Sequence, residues 1–508
     1  MRETRVNLAL RVLEELIHVG VSDFCVCPGT RNSEFVILLD NQDSLKPYYF
    51  YEERSAAFFA LGKAKSQKRA VAVITTSGTA TAELLPAVME SYYSGVPLVV
   101  VTADRPRKFR GTGAPQSAEQ VGLYGPYVSC AKDLEGDEVF DLSDWDRKSP
   151  LHLNVCLKDP NAKFEDKKQV IETGFSDFDS FLSTVSYPVV VVSYLSKEEK
   201  EALVPLLLKL NAPLFLEGIS NVREDTRLQK LQIRRVDNFY KTAVECNYPI
   251  DGVIRIGGVP TFRFWRDIEE LKIPVFSISD RPFKGLTHGS LIQTKLSELQ
   301  IKKQFSLETA KTWLENDLAY LMKLQELFKE EPAASPSLIH ALSLIIPKNA
   351  HVYLGNSLPI REWDLSATFE DKNFLITASR GVNGIDGQLS TFFGHSTKER
   401  DNFAILGDLT TLYDLAAPWI LPQMKEIKTT VFVINNGGGK IFSNIFASLV
   451  FQNQHQISFK PFAALWGMEY ERWEAIPDKL HFNHVPKLIE IIPDNEATNR
   501  FTKKLLSF

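Results

Sequence analysis

Apolar and polar positions alternate along the chain in a pattern that predicts helices and strands in turn. Near the N-terminus, apolar residues recur at helical spacing with charges between them, which predicts an amphipathic surface helix over Val6–His18. Short continuous apolar runs follow, separated by helical patterns. The predicted strands are Phe24–Cys27, Tyr48–Tyr51, Ala70–Thr75 and Pro97–Thr102, and the predicted helices are Ser55–Ser66 and Thr79–Ser94. This alternation indicates an α/β fold with a doubly wound parallel sheet covered on both faces.

The same alternation of predicted strands and helices recurs in two later regions of the chain. The later predicted strands are Val189–Val192, Asp251–Ile256, Pro274–Ile278, Phe374–Ala378, Phe403–Leu406 and Thr430–Ile434, with a helix over Thr410–Ala417. Polar, charged stretches at Pro160–Asp177 and Glu330–Pro336 are the predicted linkers. We therefore predict three α/β domains at residues 1–175, 186–332 and 337–508. The first and third share one plan, and the middle one, which lacks a glycine-rich phosphate loop, links them.

Composition and charge narrow the class of protein. The 508-residue chain has a net charge of -5, which gives no general attraction for nucleic acid or anionic membranes. Its five cysteines are odd in number and lack CxxC spacing, which is typical of reduced core thiols in a cytoplasmic protein. The N-terminal pattern is a surface helix and not a signal sequence, and no apolar run approaches the roughly 18 residues that span a bilayer.

Two strand ends in the last region carry candidate metal ligands. Phe403–Leu406 ends at Gly407-Asp408, and Thr430–Ile434 ends at Asn435-Asn436 followed by three glycines. Carboxyl ends of parallel strands meet at one sheet edge, and carboxylate, amide and carbonyl oxygens suit Mg²⁺ or Mn²⁺. The turn at Gly407 and the following helix N-terminus offer N–H groups to phosphates. The alternative is that Gly-Asp and Asn-Gly only form turns at the strand ends, as these residues commonly do.

The order of these motifs resembles the thiamine-diphosphate (ThDP) fingerprint of decarboxylases and acetolactate synthases. Over about Asn7 to Phe446 the chain resembles more closely the 2-succinyl-5-enolpyruvyl-6-hydroxy-3-cyclohexene-1-carboxylate synthases of menaquinone biosynthesis. The motifs that carry this resemblance are PGTRN, YEERSAAFFALG, TTSGTATAELLPAV, TADRP, GTGAPQ, LGNSLPIREWD, SRGVNGIDG, GDLT and NNGGGKIF. The resemblance implies a three-domain ThDP-binding fold. It also implies a transferase that decarboxylates 2-oxoglutarate and adds the succinyl carbanion equivalent to isochorismate.

The resemblance also implies the residues that bind the cofactor. Glu53 matches the glutamate that sets the protonation of the cofactor's aminopyrimidine ring. Gln116 matches a pocket position where a neutral amide orients an intermediate, and the alternative is an ordinary turn at Gly113-Ala114-Pro115-Gln116. The implied metal ligands are Asp408, Asn436 and the carbonyl of Gly438. Further implied cofactor contacts are Asn383, Gly384, Ile385, Leu409, Thr410 and Ile441. For Glu53 the alternative is a carboxylate that stabilises a helix N-terminus, with Glu52 as its solvated neighbour. For Ile385 the alternative is a core residue after a plain turn.

A set of arginines at strand ends predicts a ligand with several carboxylates, because guanidinium groups pair with carboxylates in bidentate fashion. Any single arginine is most often a surface charge. 2-Oxoglutarate and isochorismate each carry two carboxylates, whereas pyruvate carries one. The substrate positions implied by the resemblance are Thr30, Arg31, Arg105, Gln116, Arg263, Ser357, Arg361, Arg380, Ile441 and Phe442.

The resemblance implies a homodimer, or a dimer of dimers, because Glu53 and Asp408 lie in different domains yet serve one cofactor. The sequence departs from the family pattern at Pro115, Gly437, Lys440 and Ala416-Ala417, and its middle domain is short. Two alternatives stay open. One is a ThDP enzyme of the acetolactate synthase type acting on a smaller 2-oxo acid. The other is a non-catalytic nucleotide-binding α/β protein, although no GxGxxG follows the first strand and no GxxxxGK[ST] occurs.

Overall fold

Three parallel β-sheets, each flanked by helices, make up the protein. The computed structural model describes residues 7–42, 45, 47–158, 177–195, 197–299, 301–424, 426–443, 445–481 and 485–508. The chain forms two compact units, Met1–Asp166 with Gly438–His455 and Lys167–Gly437 with Gln456–Phe508. The predicted α/β class with parallel sheets is confirmed. The predicted boundary at residues 160–177 lies, apart from Asp177, outside the described residues.

The first unit is built on a six-stranded parallel sheet with the order β2-β1-β3-β4-β6-β5. Its strands are β1 (Asp23–Val26), β2 (Tyr48–Tyr49), β3 (Val71–Thr75), β4 (Leu98–Asp104), β5 (Cys130–Glu135) and β6 (Leu151–Cys156). Its helices are α1 (Leu8–His18), α2 (Ser33–Asp40), α3 (Glu53–Gln67), α4 (Thr79–Ala82) and α5 (Leu85–Ser94).

Alternation along the strands gives this sheet two buried faces. Val71 and Val73 of β3 pack in one apolar cluster, and Ala72 and Ile74 pack in the cluster on the other side. Side chains of a strand point alternately to opposite faces, so a continuous apolar run buries both of them. The five-residue β3 is accordingly buried at every position.

The predicted helix Thr79–Ser94 was wrong as a single element. The structure divides it into α4 and α5, and Pro86 lies in the first turn of α5. Proline lacks an N–H and disfavours helical geometry at the residue before it, so it starts a helix more readily than it continues one. The N-cap of α4 is Gly78, whose N–H donates to Gln120 Oε1 at 2.9 Å.

A short segment from far along the chain completes the first unit. Residues 438–455 belong to it, and Phe451 is fully buried in the core that α1 and α2 cover. Phe446 stacks on Phe451 with ring centroids 3.9 Å apart. The chain passes from the second unit to the first between Gly437 and Gly438, within the glycine-rich turn after Ile434.

The second unit contains the other two sheets. The middle sheet has five parallel strands in the order β11-β10-β9-β7-β8. Its strands are β7 (Pro188–Val192), β8 (Leu214–Leu216), β9 (Gly252–Ile256), β10 (Val275–Ser279) and β11 (Ser290–Gln293). The helices of this region are α6 (Phe178–Thr184), α7 (Lys197–Leu210), α8 (Phe239–Glu245), α9 (Arg263–Leu271) and α10 (Lys311–Glu330).

The third sheet has six parallel strands in the order β13-β12-β14-β15-β17-β16. Its strands are β12 (His351–Leu354), β13 (Leu375–Thr377), β14 (Asn402–Gly407), β15 (Thr429–Ile434), β16 (Glu469–Trp473) and β17 (Lys487–Ile491). The accompanying helices are α11 (Ser335–Ile345), α12 (Leu358–Ser366), α13 (Gln388–His395), α14 (Asp408–Tyr413), α15 (Lys460–Leu465) and α16 (Asn495–Leu505).

Two further element boundaries in this unit differ from the prediction. Within the expected linker Glu330–Pro336 the non-helical connection is only residues 331–334, because α10 ends at Glu330 and α11 begins at Ser335 with Pro336 in its first turn. The helix expected over Thr410–Ala417 instead spans Asp408–Tyr413, and a 3₁₀ segment follows at Ala417–Gln423. Two prolines in that segment favour the shorter 3₁₀ turns.

Two general expectations can be compared with the structure. All five cysteines are free and buried, as predicted for core thiols. Within the described parts of the chain, no helix combines the length and apolar character needed to cross a membrane.

Candidate active site

The predicted metal ligands Asp408 and Asn436 follow neighbouring strands of the third sheet. β14 and β15 pair in parallel with Gly407 opposite Ile434, so both ligands leave the same sheet edge. Asp408 is 3% exposed and opens α14. Its Oδ1 accepts the Leu409 N–H at 2.7 Å and its Oδ2 accepts the Gly437 N–H at 2.9 Å. These bonds fix the carboxylate at the start of the glycine-rich turn.

Asn436 fits a hard divalent cation. Its Oδ1 is buried and has no hydrogen-bond partner among the described residues. A buried amide oxygen without a partner costs free energy, and a bound Mg²⁺ or Mn²⁺ would remove that cost. The described ranges contain no cluster of three or more His, Cys, Asp or Glu side chains arranged for a metal. The predicted metal ligands do not form such a cluster, because they are one carboxylate, one side-chain amide and one backbone carbonyl.

The third predicted ligand, Gly438, belongs to the first unit. Its φ is 132°, and an added Cβ would lie 2.4 Å from the Gln452 carbonyl oxygen, so only glycine fits. Lys440, one of the departures from the family pattern, does not point into solvent, because its Nζ donates to Gln452 Oε1 at 3.0 Å. The predicted ligand contacts Ile441 and Phe442 lie in a 3₁₀ turn over Lys440–Phe442.

Glu53 begins α3 at the end of the second strand of the first sheet. It is 9% exposed, and Thr75 Oγ1 donates to its Oε1 at 3.4 Å. Glu52 is not the solvated neighbour that we expected. It is 8% exposed and caps α3 by accepting the N–H of Ser55 at 2.9 Å, so the capping role falls to Glu52.

Three more predicted contacts lie on the same edge of the first sheet. Arg31 is 6% exposed, and its Nη1 donates to the Leu157 carbonyl at 2.9 Å. Arg105 follows β4, and its Nε donates to the Pro115 carbonyl at 3.0 Å. This bond ties Arg105 to the turn that carries Gln116, whose φ of 55° is left-handed. Thr30 lies in the turn after β1.

In the second unit, Arg361 and Arg380 are half-buried, and their positive charges lie near each other. Desolvation, together with the nearby charges of Arg380 and Arg266, lowers the pKa of Arg361 to about 9. Desolvation also lowers the pKa of Arg380. Arg361 Nη1 donates to the carbonyl of Ser357, whose φ of 71° is strained for a residue with a side chain. A bound carboxylate would relieve this concentration of charge.

Two acidic residues that the sequence analysis missed, Asp364 and Glu217, lie near this pair. Desolvation, together with the like charge of Glu217, raises the pKa of Asp364 to about 7. Asp364 Oδ1 accepts the Gly218 N–H at 2.6 Å. Glu217 is 1% exposed and accepts the Thr261 N–H at 2.9 Å. Neither carboxylate forms an ion pair with Arg361 or Arg380 in the described structure, so neither occupies their guanidinium groups.

Residues 217–224, which we call the bridging segment, run from the end of β8 to the elements that carry the two arginines. The side chain of Asn221 makes two hydrogen bonds to the backbone of Ile376 in β13. It accepts the Ile376 N–H at 2.7 Å and donates to the Ile376 carbonyl at 3.2 Å. Arg223 is 1% exposed and donates to the Ala367 and Thr368 carbonyls after α12, both at 2.9 Å. The bridging segment thus holds α12, which carries Arg361, and β13, which precedes Arg380.

The remaining predicted contacts divide into two groups. Asn383, Gly384 and Ile385 lie together in the loop between β13 and α13, while Leu409 and Thr410 lie in α14 behind Asp408. Arg263, by contrast, is 60% exposed in its side chain and donates to Asp267 at 2.8 Å. The structure therefore gives Arg263 a local carboxylate partner that Arg361 and Arg380 lack.

The missed residues differ in whether a sequence signal could have found them. Asn356 directly precedes the predicted Ser357 at the end of β12, so the strand-end rule that selected the arginines would also have selected it. Asp364 and Gly218 are 146 positions apart and meet only because the bridging segment docks on α12. No local pattern predicts that contact.

Comparison with known proteins identifies the class first. The family model described as "Thiamine pyrophosphate enzyme, N-terminal TPP binding domain" matches residues 6–123. This range holds Arg31, Glu53, Arg105 and Gln116 and places the chain among the ThDP-dependent enzymes.

Three relatives identify the family within that class, and all three are named 2-succinyl-5-enolpyruvyl-6-hydroxy-3-cyclohexene-1-carboxylate synthase. The protein of Bdellovibrio bacteriovorus is 40% identical, over 99% of this chain and 98% of its own length. That of Akkermansia muciniphila is 35% identical over 96% of both chains. That of Listeria innocua is 30% identical over 97% of this chain and 94% of its own. The chain belongs to the family of 2-succinyl-5-enolpyruvyl-6-hydroxy-3-cyclohexene-1-carboxylate synthases.

Proposed function

We propose that this protein decarboxylates 2-oxoglutarate and joins the remaining succinyl unit to isochorismate. The products are 2-succinyl-5-enolpyruvyl-6-hydroxy-3-cyclohexene-1-carboxylate and CO₂, in the biosynthesis of menaquinone. Membership of the synthase family supports the reaction. The observation that carries the substrate class is Arg380, whose Nε and Nη2 are buried without a hydrogen-bond partner in the described structure. Such a fork suits a carboxylate.

The cofactor in this proposal is ThDP with Mg²⁺ or Mn²⁺. When bound, ThDP would supply a thiazolium ring that takes up the electron pair left by decarboxylation. Asp408, Asn436 and the Gly438 carbonyl would hold the metal, and Glu53 would hold a proton against the aminopyrimidine ring. Asn383, Gly384 and Ile385 would contact the cofactor, and Gln116 would orient the reacting groups. The buried oxygen of Asn436 supports the metal part of this assignment.

The arginines would bind and orient the substrates. Arg31 and Arg105 follow β1 and β4 of the first unit, Arg380 follows β13 of the second unit, and Arg361 lies in α12. Each guanidinium group is suited to one carboxylate. Thr30, Ser357, Ile441 and Phe442 would complete the substrate contacts. Arg263 would join them only by leaving Asp267, so its contribution is the weakest of the set.

We further propose a homodimer, or a dimer of dimers, built from three-domain subunits in the cytoplasm. In the family resemblance, the N-terminal domain of one subunit and the C-terminal domain of its partner share each cofactor. Large exposed apolar side chains support an interface, since such groups mark interaction surfaces. Tyr93 is 76% exposed in the first unit, and Trp419 and Leu465 are 71% and 74% exposed in the second. The five free thiols support a reducing compartment.

A substrate comparison tests the proposed function. The protein is incubated with ThDP, Mg²⁺ and either 2-oxoglutarate or pyruvate, with and without isochorismate, and CO₂ release is measured. We expect release from 2-oxoglutarate that isochorismate accelerates, and little from pyruvate. Release from pyruvate alone would indicate an enzyme of the acetolactate synthase type. Failure to bind ThDP would exclude both.

A further inference from the structure

A closed set of hydrogen bonds surrounds Asn356, a residue with no assigned role. It lies two residues after the end of β12 and is 1% exposed. Its Nδ2 donates to the Ser379 carbonyl at 2.9 Å and to the Gly384 carbonyl at 2.7 Å. Its backbone N–H donates to Gln388 Oε1 at 2.9 Å, and the amide nitrogen of Gln388 also donates to Gly384. Two buried amides therefore hold the carbonyl of Gly384.

The remaining polar atom of Asn356 engages Arg380, whose Nη1 donates to Asn356 Oδ1. The orientation of the amide is unambiguous, since a guanidinium only donates and the two carbonyls only accept. Arg380 keeps two donors, Nε and Nη2, both buried and without a hydrogen-bond partner in the described structure. These two atoms lie on one side of the guanidinium and match a carboxylate in bidentate fashion. Asn356 thereby occupies the one nitrogen that a carboxylate on this side does not need.

Backbone constraints on both sides fix where the Asn356 side chain points. Gly355 lies close to the neighbouring strand, and an added Cβ there would be 3.0 Å from the Ile405 carbonyl oxygen. Ser357 has φ 71° and ψ -126°, a strained conformation for a residue with a side chain. Backbone strain persists only where the surroundings enforce it, and it concentrates at ligand sites.

We propose that Asn356 is a positioning residue that couples the carboxylate-binding side of Arg380 to the cofactor-binding loop. This inference rests on the proposed function. Asn356 sets the direction of Nε and Nη2 and, through Ser379 and Gly384, holds the loop that carries Asn383, Gly384 and Ile385. A change at Asn356 therefore affects both the substrate carboxylate and the cofactor, whereas a change at Arg380 affects the carboxylate alone.

A double-mutant cycle tests the coupling to Arg380. The kcat/KM for 2-oxoglutarate is measured for the wild type, Asn356→Ala, Arg380→Ala and the double variant. We expect Asn356→Ala to lower kcat/KM by about 10- to 100-fold, mainly through KM, which is the range for hydrogen bonds to charged groups. All four proteins are assayed at saturating ThDP and Mg²⁺, so that a weaker cofactor affinity does not enter the comparison. We then expect the double variant to fall within about twofold of Arg380→Ala, because Asn356 has no guanidinium left to orient. Independent, multiplying losses would overturn the proposal.

Equilibrium binding of ThDP tests the coupling to the loop without requiring turnover. Asn356→Asp keeps an acceptor for Arg380 but loses both donors to the loop carbonyls. Asn402 is a matched control, since it is also 1% exposed and its Nδ2 donates to the Thr397, Arg400 and Lys428 carbonyls at the start of β14, the opposite sheet edge. In Mg²⁺, we expect the Kd for ThDP to rise at least 10-fold in Asn356→Asp and to stay near the wild-type value in Asn402→Asp.

The outcomes separate this proposal from the proposed function. Equal ThDP affinity in the two aspartate variants, whether both are weakened or both unchanged, would overturn the role of Asn356. A wild type that binds ThDP but does not turn over 2-oxoglutarate would overturn the proposed function. The binding comparison would in that case still decide whether Asn356 holds the loop.

Discussion

Glu52 Oε2 accepts the backbone N–H of Ser55 at 2.9 Å and caps helix α3, so the glutamate that stabilises this helix N-terminus is the one next to Glu53. A carboxylate at the first turn of a helix most simply stabilises the positive end of its dipole. With that role filled by Glu52, the burial of Glu53 needs another explanation, and the protonation of a bound aminopyrimidine provides one.

The pair of glutamates gives a matched test. Glu53→Gln should bind ThDP and Mg²⁺ and unfold at nearly the wild-type temperature, but should stop exchange of the cofactor's C2 proton, which is measured by NMR in D₂O. Glu52→Ala should do the reverse. Loss of a helix cap costs about 1 kcal/mol, so its unfolding temperature should fall while C2 exchange continues. Normal exchange in Glu53→Gln would remove Glu53 from the catalytic role.

Asn436→Ala should weaken metal binding without lowering the stability of the metal-free protein. The buried Oδ1 has no partner in the described structure, so its removal without metal should leave the unfolding temperature unchanged or raise it. The increase in unfolding temperature that Mg²⁺ and ThDP give the wild type should be largely lost, because ligand stabilisation follows affinity.

The neighbouring asparagine is the control for that experiment. Asn435 Nδ2 donates to Glu490 at 2.6 Å and to the Ile457 carbonyl at 2.8 Å. Asn435→Ala should therefore destabilise the metal-free protein and keep the response to Mg²⁺. If Asn436→Ala instead lost stability without metal and responded normally to Mg²⁺, Asn436 would be a structural residue.

Asp364 should make stability depend on pH. Its pKa is raised from 3.8 to about 7, so between these values the folded protein holds a proton that the unfolded chain has released. The free energy of unfolding of the wild type should therefore fall as the pH rises through this range, by up to about 1.4 kcal/mol per pH unit. Asp364→Asn removes this contribution.

The measurement is the difference in free energy of unfolding between Asp364→Asn and the wild type, from urea denaturation at several pH values. That difference should grow in favour of the variant from pH 5 to pH 7 and level off above it. Other groups with raised pKa values, such as Glu362, are present in both proteins and cancel. A difference independent of pH would mean that Asp364 is ionised throughout, held by the arginines.

Gly218→Ala, in the bridging segment that follows the middle sheet, should weaken substrate binding by displacing Arg361. An added Cβ would lie 2.7 Å from Trp363 Cδ1 and 3.2 Å from Asp364 Oδ1, so α12 must shift. Overpacking of this kind costs about 1–3 kcal/mol, and the KM for 2-oxoglutarate should rise because Arg361 lies on α12. Gly394→Ala in α13 is the control, since nothing lies within 4 Å of its added Cβ. If the KM for 2-oxoglutarate were the same in both variants, the bridging segment would have no influence on the substrate-binding arginines.

Much of the fold follows from local sequence. The central strands β3, β4, β7 and β15 were predictable because each is a continuous apolar run buried on both faces. The edge strand β16, Glu469–Trp473, had no such signal, because its sequence EYERW is polar and none of its positions is fully buried. Its place in the sheet comes from parallel pairing with β17, a contact that local pattern does not encode.

The candidate site divides in the same way. Strand-end residues such as Asp408, Asn436 and Arg380 stand out in the sequence, because parallel topology brings the carboxyl ends of strands together. The contacts that orient these residues cannot be recognised in the sequence. Asn221 reaches Ile376 and Gly218 reaches Asp364 only because two sheets of one unit dock, and the identity of the capping glutamate depended on side-chain geometry. The assigned roles of the site residues remain predictions for these experiments.

The most direct test of the account is product formation from the two proposed substrates. The protein is incubated with ThDP, Mg²⁺, 2-oxoglutarate and isochorismate, and the product is identified by mass spectrometry, with each component omitted in turn. We predict one CO₂ released for each molecule of 2-succinyl-5-enolpyruvyl-6-hydroxy-3-cyclohexene-1-carboxylate formed, and no product when any component is missing. CO₂ release without this product, or product formation without ThDP, would contradict the account.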